Sequence, residues 1–495
     1  MTRKIILLLA AVFPAVSSAA LIQETDLTYL GAFRVPQGTY NGTSYEYGGY
    51  ALGYYSTNNS LFIASINGQE VAEFSIPALS TSSNINDLSI ATNLQGFADI
   101  TEGNRANIGL GGSHCSPSGV FLGGLLPYGD VLVGTLWGYY DGEYCAELSH
   151  FTSGFDFSAT GDFEGVYRVG DNSTNVGFRA MYMAEIPEEW RSSFGGAPAV
   201  TGRAFLPIIT RSSFGPSLWT FDPDSLGVVE PVPSTPLVYY EDTGSRATFG
   251  EYAGSSPANE YVSPRDLIGG VVWPPGTDTV LFIGMHGSGD WCYKCDPPNN
   301  PDGNGSWPYH YWAWAYDAND FAASYSGTYE VTQDDSIAGR FIEGIYPNNT
   351  ALAVGDTVRP WNVKPYDMWE FTVPIAPENN RDVYGATYDP ATNRLYFSAM
   401  RGDGARPIIH AYEISISASE EIAVTSASVA GGLLTLEWTD TSGATEWQIQ
   451  AAIDGSACYS MLASASSVSF PVTTGTIAIK ITNNLSGYVR GGASN

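Results

Sequence analysis

The hydrophobic positions of this chain fall in short runs that are separated by turn-rich segments. In five places an apolar run is followed by a second run that ends on Phe or Tyr, often with an acidic residue and a turn after it. Short apolar runs bounded by Gly, Pro, Asn and Ser are typical of β-strands. Their recurrence with turn signals predicts an all-β protein built from repeated units.

Each predicted unit is organised around a strand that ends on an aromatic residue or on the acidic residue directly after it, here called strand C. The five copies of strand C are Val71–Phe74, Leu148–Phe151, Leu218–Asp222, Ala313–Asp317 and Ile409–Glu413. An apolar strand B precedes each copy, at Leu61–Ile63, Val131–Val133, Phe205–Ile208, Val280–Ile283 and Leu395–Phe397. A strand A rich in small residues starts near Gly49, Ser116, Phe178, Leu267 and Tyr384. Four units continue into a strand D, at Phe97–Ile100, Phe163–Val169, Leu237–Tyr240 and Met368–Val373.

The fifth unit lacks a strand D of its own. The N-terminal segment Thr28–Val35 belongs to no other unit and can supply it. A ring closed in this way leaves only short, protected edges. We therefore predict a five-bladed β-propeller over residues 21–415, closed by an N-terminal strand. The irregular spacing of the units would also suit six or seven blades.

Both ends of the chain differ from this pattern. Arg3 and Lys4 precede an apolar stretch that ends in small residues near Ala20, which is typical of a secretory signal peptide over residues 1–20. We therefore expect a secreted, periplasmic or cell-surface protein. Beyond Ser415 the composition shifts to Ser, Ala, Thr and Val, and Leu433–Trp438 and Trp447–Gln450 alternate like paired strands.

These features together resemble exported bacterial β-propeller proteins that carry a fibronectin type III-like tail. The tail would occupy residues 420–495 as a small β-sandwich, and such tails act as spacers or attachment modules. The resemblance lies at the level of the repeats and names no enzyme family, so it implies a fold and not an activity.

The charge balance excludes some partners. Acidic residues outnumber basic ones by 51 to 21, which gives a net charge of −30. Such a surface repels nucleic acid and anionic membranes. After the N-terminal stretch, no run is long enough and apolar enough for membrane insertion.

The candidate catalytic and binding residues lie at one end of the predicted central channel. The loops before strand A and those between strands B and C open at this end. The basic and acidic candidates are Arg179, Arg211, Arg265, Arg401 and Asp266, the histidines are His114 and His286, and the aromatic candidates are Tyr47, Tyr384, Trp137 and Tyr139. A funnel rimmed by Arg, His, Tyr and Trp favours an anionic ring-shaped ligand. The alternative is structural, because Arg next to Asp often joins blades and Trp137 and Tyr139 can simply cap the core. His150, His310 and His410 lie in or beside C strands and are interpreted as structural.

The cysteines and one long loop suggest further sites. Cys115 and Cys145 are predicted to form a disulfide, since both lie at the open face of the second unit and an exported chain meets oxidising conditions. Cys292 and Cys295 are interpreted as a local disulfide rather than a zinc site, and Cys458 is left over. The loop with Asn300, Asp302 and Asn304 matches the start of a calcium loop, although Tyr311 stands where such a loop ends on an acidic residue.

Three functional hypotheses follow from the candidate residues. The first is a carbohydrate-active protein, in particular a polysaccharide lyase on uronate-containing, anionic glycans, with arginines on the carboxylate and His114, His286, Tyr47 or Tyr384 moving protons. The second is a non-catalytic propeller that binds a glycan or a surface. The third is a glycoside hydrolase that uses Glu46, Asp266 and Asp382. No nucleotide-binding loop or triad signature stands out in the sequence.

Overall fold

The computed structural model describes most of the chain up to residue 415 and six strands beyond it. The described segments are 21–111, 115–116, 119–171, 176–205, 211–240, 261–263, 265–289, 292–293, 304–305, 307–345, 350–377 and 381–415. The chain divides into two compact units, and the larger one is Ile22–Ile416. The predicted signal peptide at residues 1–20 lies outside the described residues.

Five four-stranded antiparallel sheets make up the larger unit. The chain begins with β1 (Leu27–Arg34) and a short hairpin of β2 (Thr39–Tyr40) and β3 (Thr43–Ser44). Blade one consists of β4 (Tyr50–Tyr55), β5 (Ser60–Ala64), β6 (Val71–Ser75) and β7 (Asn93–Ala98). Blade two consists of β8 (Val120–Tyr128), β9 (Val131–Gly138), β10 (His150–Ser153) and β11 (Glu164–Tyr167). Blade three consists of β12 (Tyr182–Glu185), β13 (Ala199–Gly202), β14 (Leu218–Phe221) and β15 (Pro236–Val238).

Blades four and five complete the ring. Blade four consists of β16 (Leu267–Val272), β17 (Thr279–Gly287), β20 (Tyr309–Asp317) and β21 (Asp367–Glu370), with a hairpin of β18 (Cys292–Tyr293) and β19 (Asn304–Gly305) inserted before β20. Blade five consists of β22 (Val383–Asp389), β23 (Arg394–Asp403) and β24 (Arg406–Ile414), completed by β1. The architecture is thus a five-bladed β-propeller, as the sequence predicts.

The first strand of each blade lies at the centre of the ring. These strands β4, β8, β12, β16 and β22 contact one another in sequence, and β22 returns to β4. Glycine makes this close approach feasible: a Cβ on Gly124 would lie 2.1 Å from the Met181 carbonyl oxygen, and one on Gly269 would lie 2.2 Å from that of Val383. The small residues that mark strand A in the sequence therefore reflect the crowding of strands around the axis.

The ring closes where β1 pairs with β24. The pairing is antiparallel, with Tyr29 opposite Tyr412 and Phe33 opposite Ile409. The Tyr29 hydroxyl and Nδ1 of the buried His410 are 3.0 Å apart. The predicted closure by the N-terminal strand is confirmed, because this strand supplies the fourth strand that blade five lacks.

The second strand of blade three corrects the sequence prediction. It is Ala199–Gly202, not Phe205–Ile208. Phe205 forms an isolated bridge with Leu267 instead, and residues 206–210 lie outside the described part. The error has a physical cause, since a short strand of small residues carries a weak hydrophobic signal. The stronger apolar run after it contains Pro207, which cannot donate to a ladder.

Helical segments fill the long connections. The α-helices are α1 (Glu188–Arg191), α2 (Ala318–Ser326) and α3 (Gln333–Ile337), and short 3-10 helices span Glu24–Asp26, Ile66–Gly68, Ile85–Asp87, Val176–Phe178, Ser192–Phe194, Pro223–Ser225 and Pro360–Asn362. Helices α2 and α3 belong to an insertion between β20 and β21. There, Arg340 is paired with the buried carboxylates of Asp320 and Asp335. This insertion explains why the repeats are unevenly spaced.

The smaller unit contains two three-stranded antiparallel sheets. The strands are β25 (Ala423–Ala430), β26 (Leu433–Thr439), β27 (Trp447–Ile453), β28 (Ser456–Ala463), β29 (Ser467–Pro471) and β30 (Ile477–Asn483). The sheet orders are β25-β26-β29 and β28-β27-β30. The likeness to a fibronectin type III module stays a prediction. Among the described residues, no helix has both the length and the apolar character needed to cross a membrane.

The disulfide between Cys115 and Cys145 is confirmed, and it closes a loop with a sequence separation of 30 residues. Replacing both cysteines by serine should lower the free energy of unfolding by about 3 to 4 kcal/mol, because the open loop gains entropy in the unfolded chain. Urea unfolding followed by tryptophan fluorescence measures this change. Cys458→Ser, in the smaller unit, is the matched control. A double variant as stable as the control would contradict the prediction.

Acid should destabilise the ring through two buried histidines. Burial lowers the pKa of His150 and of His410 to about 3, whereas an unfolded histidine titrates near about 6.5. The stability that these neutral histidines contribute to the fold is therefore fully present above a pH of about 6.5. It is lost as the pH falls towards the pKa of the folded state. At pH 5 each histidine should lower the free energy of unfolding by about 2 kcal/mol relative to pH 7. We expect His410→Gln to show a smaller loss of unfolding free energy between pH 7 and pH 5 than the wild type. An equal loss would show that His410 does not contribute.

Candidate functional site

An aromatic cavity lies at the mouth of the central channel. Its volume is about 260 Å³, and it is lined by Tyr50, Phe121, Trp137, Tyr139, Phe205 and Tyr384. These residues come from the starts of central strands, from the end of β9 and from the loops that follow second strands, on four of the five blades. The cavity therefore lies at the face where the sequence placed the candidate site.

The lining rings touch one another in a continuous chain. Tyr50 lies 4.4 Å from Tyr384 between ring centroids, and Tyr384 lies 5.6 Å from Phe205. Phe205 is 5.7 Å from Trp137, which is 5.1 Å from Phe121. The edge-to-face geometry of most of these contacts is the favourable one for aromatic pairs. The packed rings hold the cavity in one shape.

Arg265 lies before β16 of blade four and borders this cavity. Its guanidinium is 5.7 Å from the ring centroids of Phe205 and of Tyr309. Its Nη2 donates to Asp382 Oδ1 at 3.4 Å. Burial would lower the pKa of Arg265, but the Asp382 carboxylate outweighs it and the pKa is raised. Nη1 is buried and makes no hydrogen bond within the described residues. Arg265 is thus a fixed cation with an unused donor.

The next residue, Asp266, contacts a different partner, His286. Both of its carboxylate oxygens lie 3.0 Å from Nδ1 of His286, and it also accepts hydrogen bonds from the backbone N–H groups of Gly287 and Ser263. Burial opposes protonation of His286, but the charge of Asp266 and its hydrogen bond prevail, so the pKa of His286 is raised. Nε2 of His286 has no hydrogen-bond partner among the described residues. The pair has the arrangement of a histidine oriented by a carboxylate.

Arg265 and the adjacent Asp266 have different partners in the structure. Adjacency in the sequence would pair Arg265 with Asp266. Instead, Arg265 binds Asp382, Asp266 binds His286, and Arg381 lies 5.4 Å from the Tyr311 ring. The contacts of Arg265 with Asp382 and of Arg381 with Tyr311 join the neighbouring blades four and five, whereas Asp266 and His286 both belong to blade four.

The other predicted arginines do not line the cavity. Arg179 is buried, stacks 4.1 Å above the Trp219 ring and donates to the Val169 carbonyl. Burial lowers the pKa of Arg179 to about 10. Arg211 donates to the carbonyl of Gly142 and lies over Tyr144. Both side chains tie together loops of neighbouring blades.

Tyr47 and Arg401 form a separate exposed pair. The Arg401 guanidinium is 5.8 Å from the Tyr47 ring centroid. Both residues adopt positive backbone φ angles, 55° and 58°, which are uncommon for residues other than glycine. Tyr47 is 45% exposed, so it stands at the rim and not in the cavity.

The carboxylates proposed for glycoside hydrolysis are all engaged by cations. Glu46 is 3.5 Å from Arg406, Asp266 holds His286, and Asp382 holds Arg265. A glycosidase needs one carboxyl group whose pKa is raised and one that is ionised. Three carboxylates that are all paired with cations do not fit this requirement for two carboxyl groups in different protonation states.

Several residues of the site were missed by sequence reasoning. Tyr50, Phe121 and Phe205 line the cavity. Arg203 is buried beneath it, 4.4 Å from the Trp137 ring, and burial lowers its pKa to about 9. The signal available was the aromatic residue near the start of strand A in blades one, two and five. Phe205 could not have been found, since it was assigned to a strand.

Some predicted sites lie outside the described residues. These are His114, Asn300, Asp302 and Cys295; for Asn304 and Cys292 only the backbone strands are described. Within the described part, one group of three potential metal ligands lies close together, and it consists of Cys115, Glu143 and Cys145. Two of these three atoms are joined in the disulfide. The calcium site and the second disulfide stay predictions.

The pKa of His286 gives a direct test of its pairing. Removing the charge in Asp266→Asn should lower that pKa below the ordinary value of about 6.5, because burial then acts unopposed. NMR titration of the histidine ring signals measures it. Asp382→Asn removes a carboxylate of the neighbouring pair and should leave the pKa of His286 raised. Equal titration in the wild type and Asp266→Asn would show that Asp266 does not control it.

Comparison with known proteins assigns the chain to no family. No family model matches it, and no curated protein matches it. Among solved structures it is similar to a luciferin-regenerating enzyme, with 7% identity, a TM-score of 0.30 and coverage of 80% of this chain and 95% of that one. It is also similar to a gluconolactonase from Xanthomonas campestris, with 10% identity, a TM-score of 0.29 and coverage of 81% and 99%. Neither likeness bears on activity; the chain is a five-bladed β-propeller by its own strand pairing.

Proposed function

We propose that the aromatic cavity at the channel mouth binds a sugar residue of an anionic glycan. The observation that carries this proposal is the lining itself: six aromatic side chains surround a concave volume of about 260 Å³. Ligand pockets typically combine an apolar, aromatic wall with a few polar groups that fix orientation. The cavity has the size of a site for one ring and not for an extended chain, so the rest of a polymer would lie outside it.

The lining suits a ring with apolar faces and polar edges. Aromatic faces pack against the C–H faces of a sugar, while hydroxyl groups at its rim need hydrogen-bond partners. Burial raises the pKa of Tyr50, Tyr139 and Tyr384 above the ordinary value. These phenols therefore stay protonated near neutral pH and can both donate and accept hydrogen bonds. Such groups provide orientation without adding negative charge.

Two buried donors favour an acceptor in the ligand. Nε1 of Trp137 and Nη1 of Arg265 are buried and make no hydrogen bond within the described residues. Buried polar groups without a partner are rare in proteins and ask for an explanation. A carboxylate on the sugar would accept a charge-assisted hydrogen bond from the guanidinium of Arg265. Recognition of the anion must be local, since the net charge of −30 repels anions at long range.

Affinity for a defined pair of polymers tests the proposal. Polygalacturonate should bind more tightly than the same polymer with its carboxyl groups methyl-esterified, as measured by calorimetry. Arg265→Lys keeps a positive charge beside Asp382 but loses the planar donor pair, so it should weaken polygalacturonate binding about tenfold or more. Trp137→Ala should weaken both polymers, because it removes a wall of the cavity.

Two control variants separate recognition from folding. Arg105→Gln changes an arginine whose guanidinium donates to the Gln69 carbonyl, and Trp361→Ala removes an exposed tryptophan that is not in the cavity. Both should bind polygalacturonate like the wild type. If methyl esterification leaves the affinity unchanged, the site does not recognise an anion. If Trp137→Ala binds like Trp361→Ala, the cavity is not the binding site.

A lyase reaction at the same site is the second candidate. Nε2 of His286, which has no hydrogen-bond partner among the described residues, favours it, because Asp266 orients that ring and the adjacent Arg265 borders the cavity. In this reaction Arg265 would neutralise a uronate carboxylate and His286 would take the C5 proton. A phenol such as that of Tyr384 would protonate the leaving oxygen, because burial raises its pKa and so keeps the hydroxyl protonated near neutral pH.

The absorbance of unsaturated uronates distinguishes catalysis from binding. Incubation of the purified protein with polygalacturonate should increase that absorbance if a lyase is present, and His286→Gln should remove the increase while retaining polymer binding. Binding without any change in absorbance would leave the non-catalytic function. New reducing ends without absorbance would indicate hydrolysis instead.

A further inference from the structure

A second group of reactive side chains lies on blade four, and none of its members lines the aromatic cavity. The Ser288 hydroxyl is 3.0 Å from Nε2 of His310. Nδ1 of the same ring is 3.0 Å from a carboxylate oxygen of Glu370. The order Ser, His, acid, with Nε2 towards the hydroxyl and Nδ1 towards the carboxylate, is that of a nucleophilic triad.

The register of the sheet brings these residues together. His310 on β20 is directly opposite His286 on β17, and Trp312 is opposite Glu370 on β21. Opposite residues of an antiparallel pair, and residues two apart on one strand, share a face of the sheet. Ser288 continues the ladder after β17, since its backbone N–H donates to the Pro308 carbonyl. Ser288, His310 and Glu370 therefore lie on one face by the geometry of the strands.

The two histidines that lie opposite each other, His286 and His310, have different partners. His286 is held by Asp266, whereas His310 is held by Glu370 and faces the serine. The His310 ring also packs 6.0 Å from the Trp312 ring, which limits its rotation. Besides the contact with His310, the Ser288 hydroxyl has a longer one of 3.4 Å with the Pro308 carbonyl. The shorter contact orients the hydroxyl towards a base.

We propose that Ser288, His310 and Glu370 form a nucleophilic site that cleaves carboxylic esters with small acyl groups. The Ser288 oxygen attacks the ester carbonyl carbon while its proton passes to Nε2 of His310. The bond to the alcohol oxygen then breaks, and His310 returns the proton to that oxygen. Water, deprotonated by His310, attacks the acyl-serine, and the carboxylic acid leaves as the Ser288 hydroxyl is restored.

Two features define the substrate class. Ser288 is exposed, and the side chain of His310 is 26% exposed. An exposed nucleophile offers little surface for a long acyl chain, which favours a small acyl group on a larger alcohol. The residue after the nucleophile is Gly289, whose backbone N–H has no partner within the described residues. A donor at that position can stabilise the oxyanion of the tetrahedral intermediate.

Hydrolysis of p-nitrophenyl acetate and labelling by a fluorophosphonate probe test the site in the full chain. The probe should modify Ser288, as identified by peptide mass spectrometry. Ser288→Ala should abolish both labelling and hydrolysis above the background, and His310→Gln should reduce hydrolysis about a hundredfold or more. Ser83→Ala, at an exposed serine of blade one, is the matched control and should retain full activity.

Glu370 is a positioning residue, so its test needs a separate readout. Glu370→Gln should lower kcat about tenfold or more with little change in KM, and Glu370→Asp should restore part of the loss. All variants should keep the thermal midpoint and the glycan affinity of the wild type, which separates this proposal from that for the cavity. Equal hydrolysis and equal labelling of wild type and Ser288→Ala would overturn it. So would a wild-type protein that neither hydrolyses the ester nor reacts with the probe.

Discussion

The pairing of β1 with β24 is the constraint on which the rest of the propeller depends. It joins residues that are nearly the whole unit apart, such as Tyr29 and His410 with a sequence separation of 381. Without this strand, blade five would expose an unpaired edge, and the five central strands would have no fixed circumference. Because the ring is closed, each central strand packs on two neighbours. The glycines of those strands then allow the backbones to approach within the distances that a Cβ would forbid.

Closure also creates the cavity. Its aromatic lining comes from four blades, and no blade contributes enough rings to enclose a volume by itself. Arg265 and Asp382 cross between blades four and five at its border, so the same ion pair both joins the blades and positions a cation. An ion pair that is partly buried, as this one is, seldom adds much net stability, because desolvation offsets the attraction. Its placement at the channel mouth supports the proposed recognition of an anion.

Blade four carries two different histidine arrangements on one face of its sheet. His286 is fixed by Asp266 from the loop before β16, while His310 is fixed by Glu370 from the outermost strand β21. One backbone register thus gives two oriented imidazoles with different surroundings: the first is buried and next to the cavity border, and the second is partly exposed beside a serine. The rigid ladder provides the orientation that side chains on a loop would lack.

The sequence by itself determined most of the strands, the five-bladed ring closed by the N-terminal strand, and the disulfide between Cys115 and Cys145. The strands follow from local alternation and turn residues, the closure follows from the count of strands per unit, and the disulfide follows from the position of both cysteines at one face of the second unit. It did not reveal the true second strand of blade three, whose small residues carry little pattern. Only the tertiary structure decided that Arg265 binds Asp382 and not Asp266, that Phe205 lines a cavity, and that Ser288, His310 and Glu370 meet. Those contacts depend on blade packing and strand register, which join residues as distant in sequence as Arg265 and Asp382, 117 positions apart, and leave no local trace in the chain.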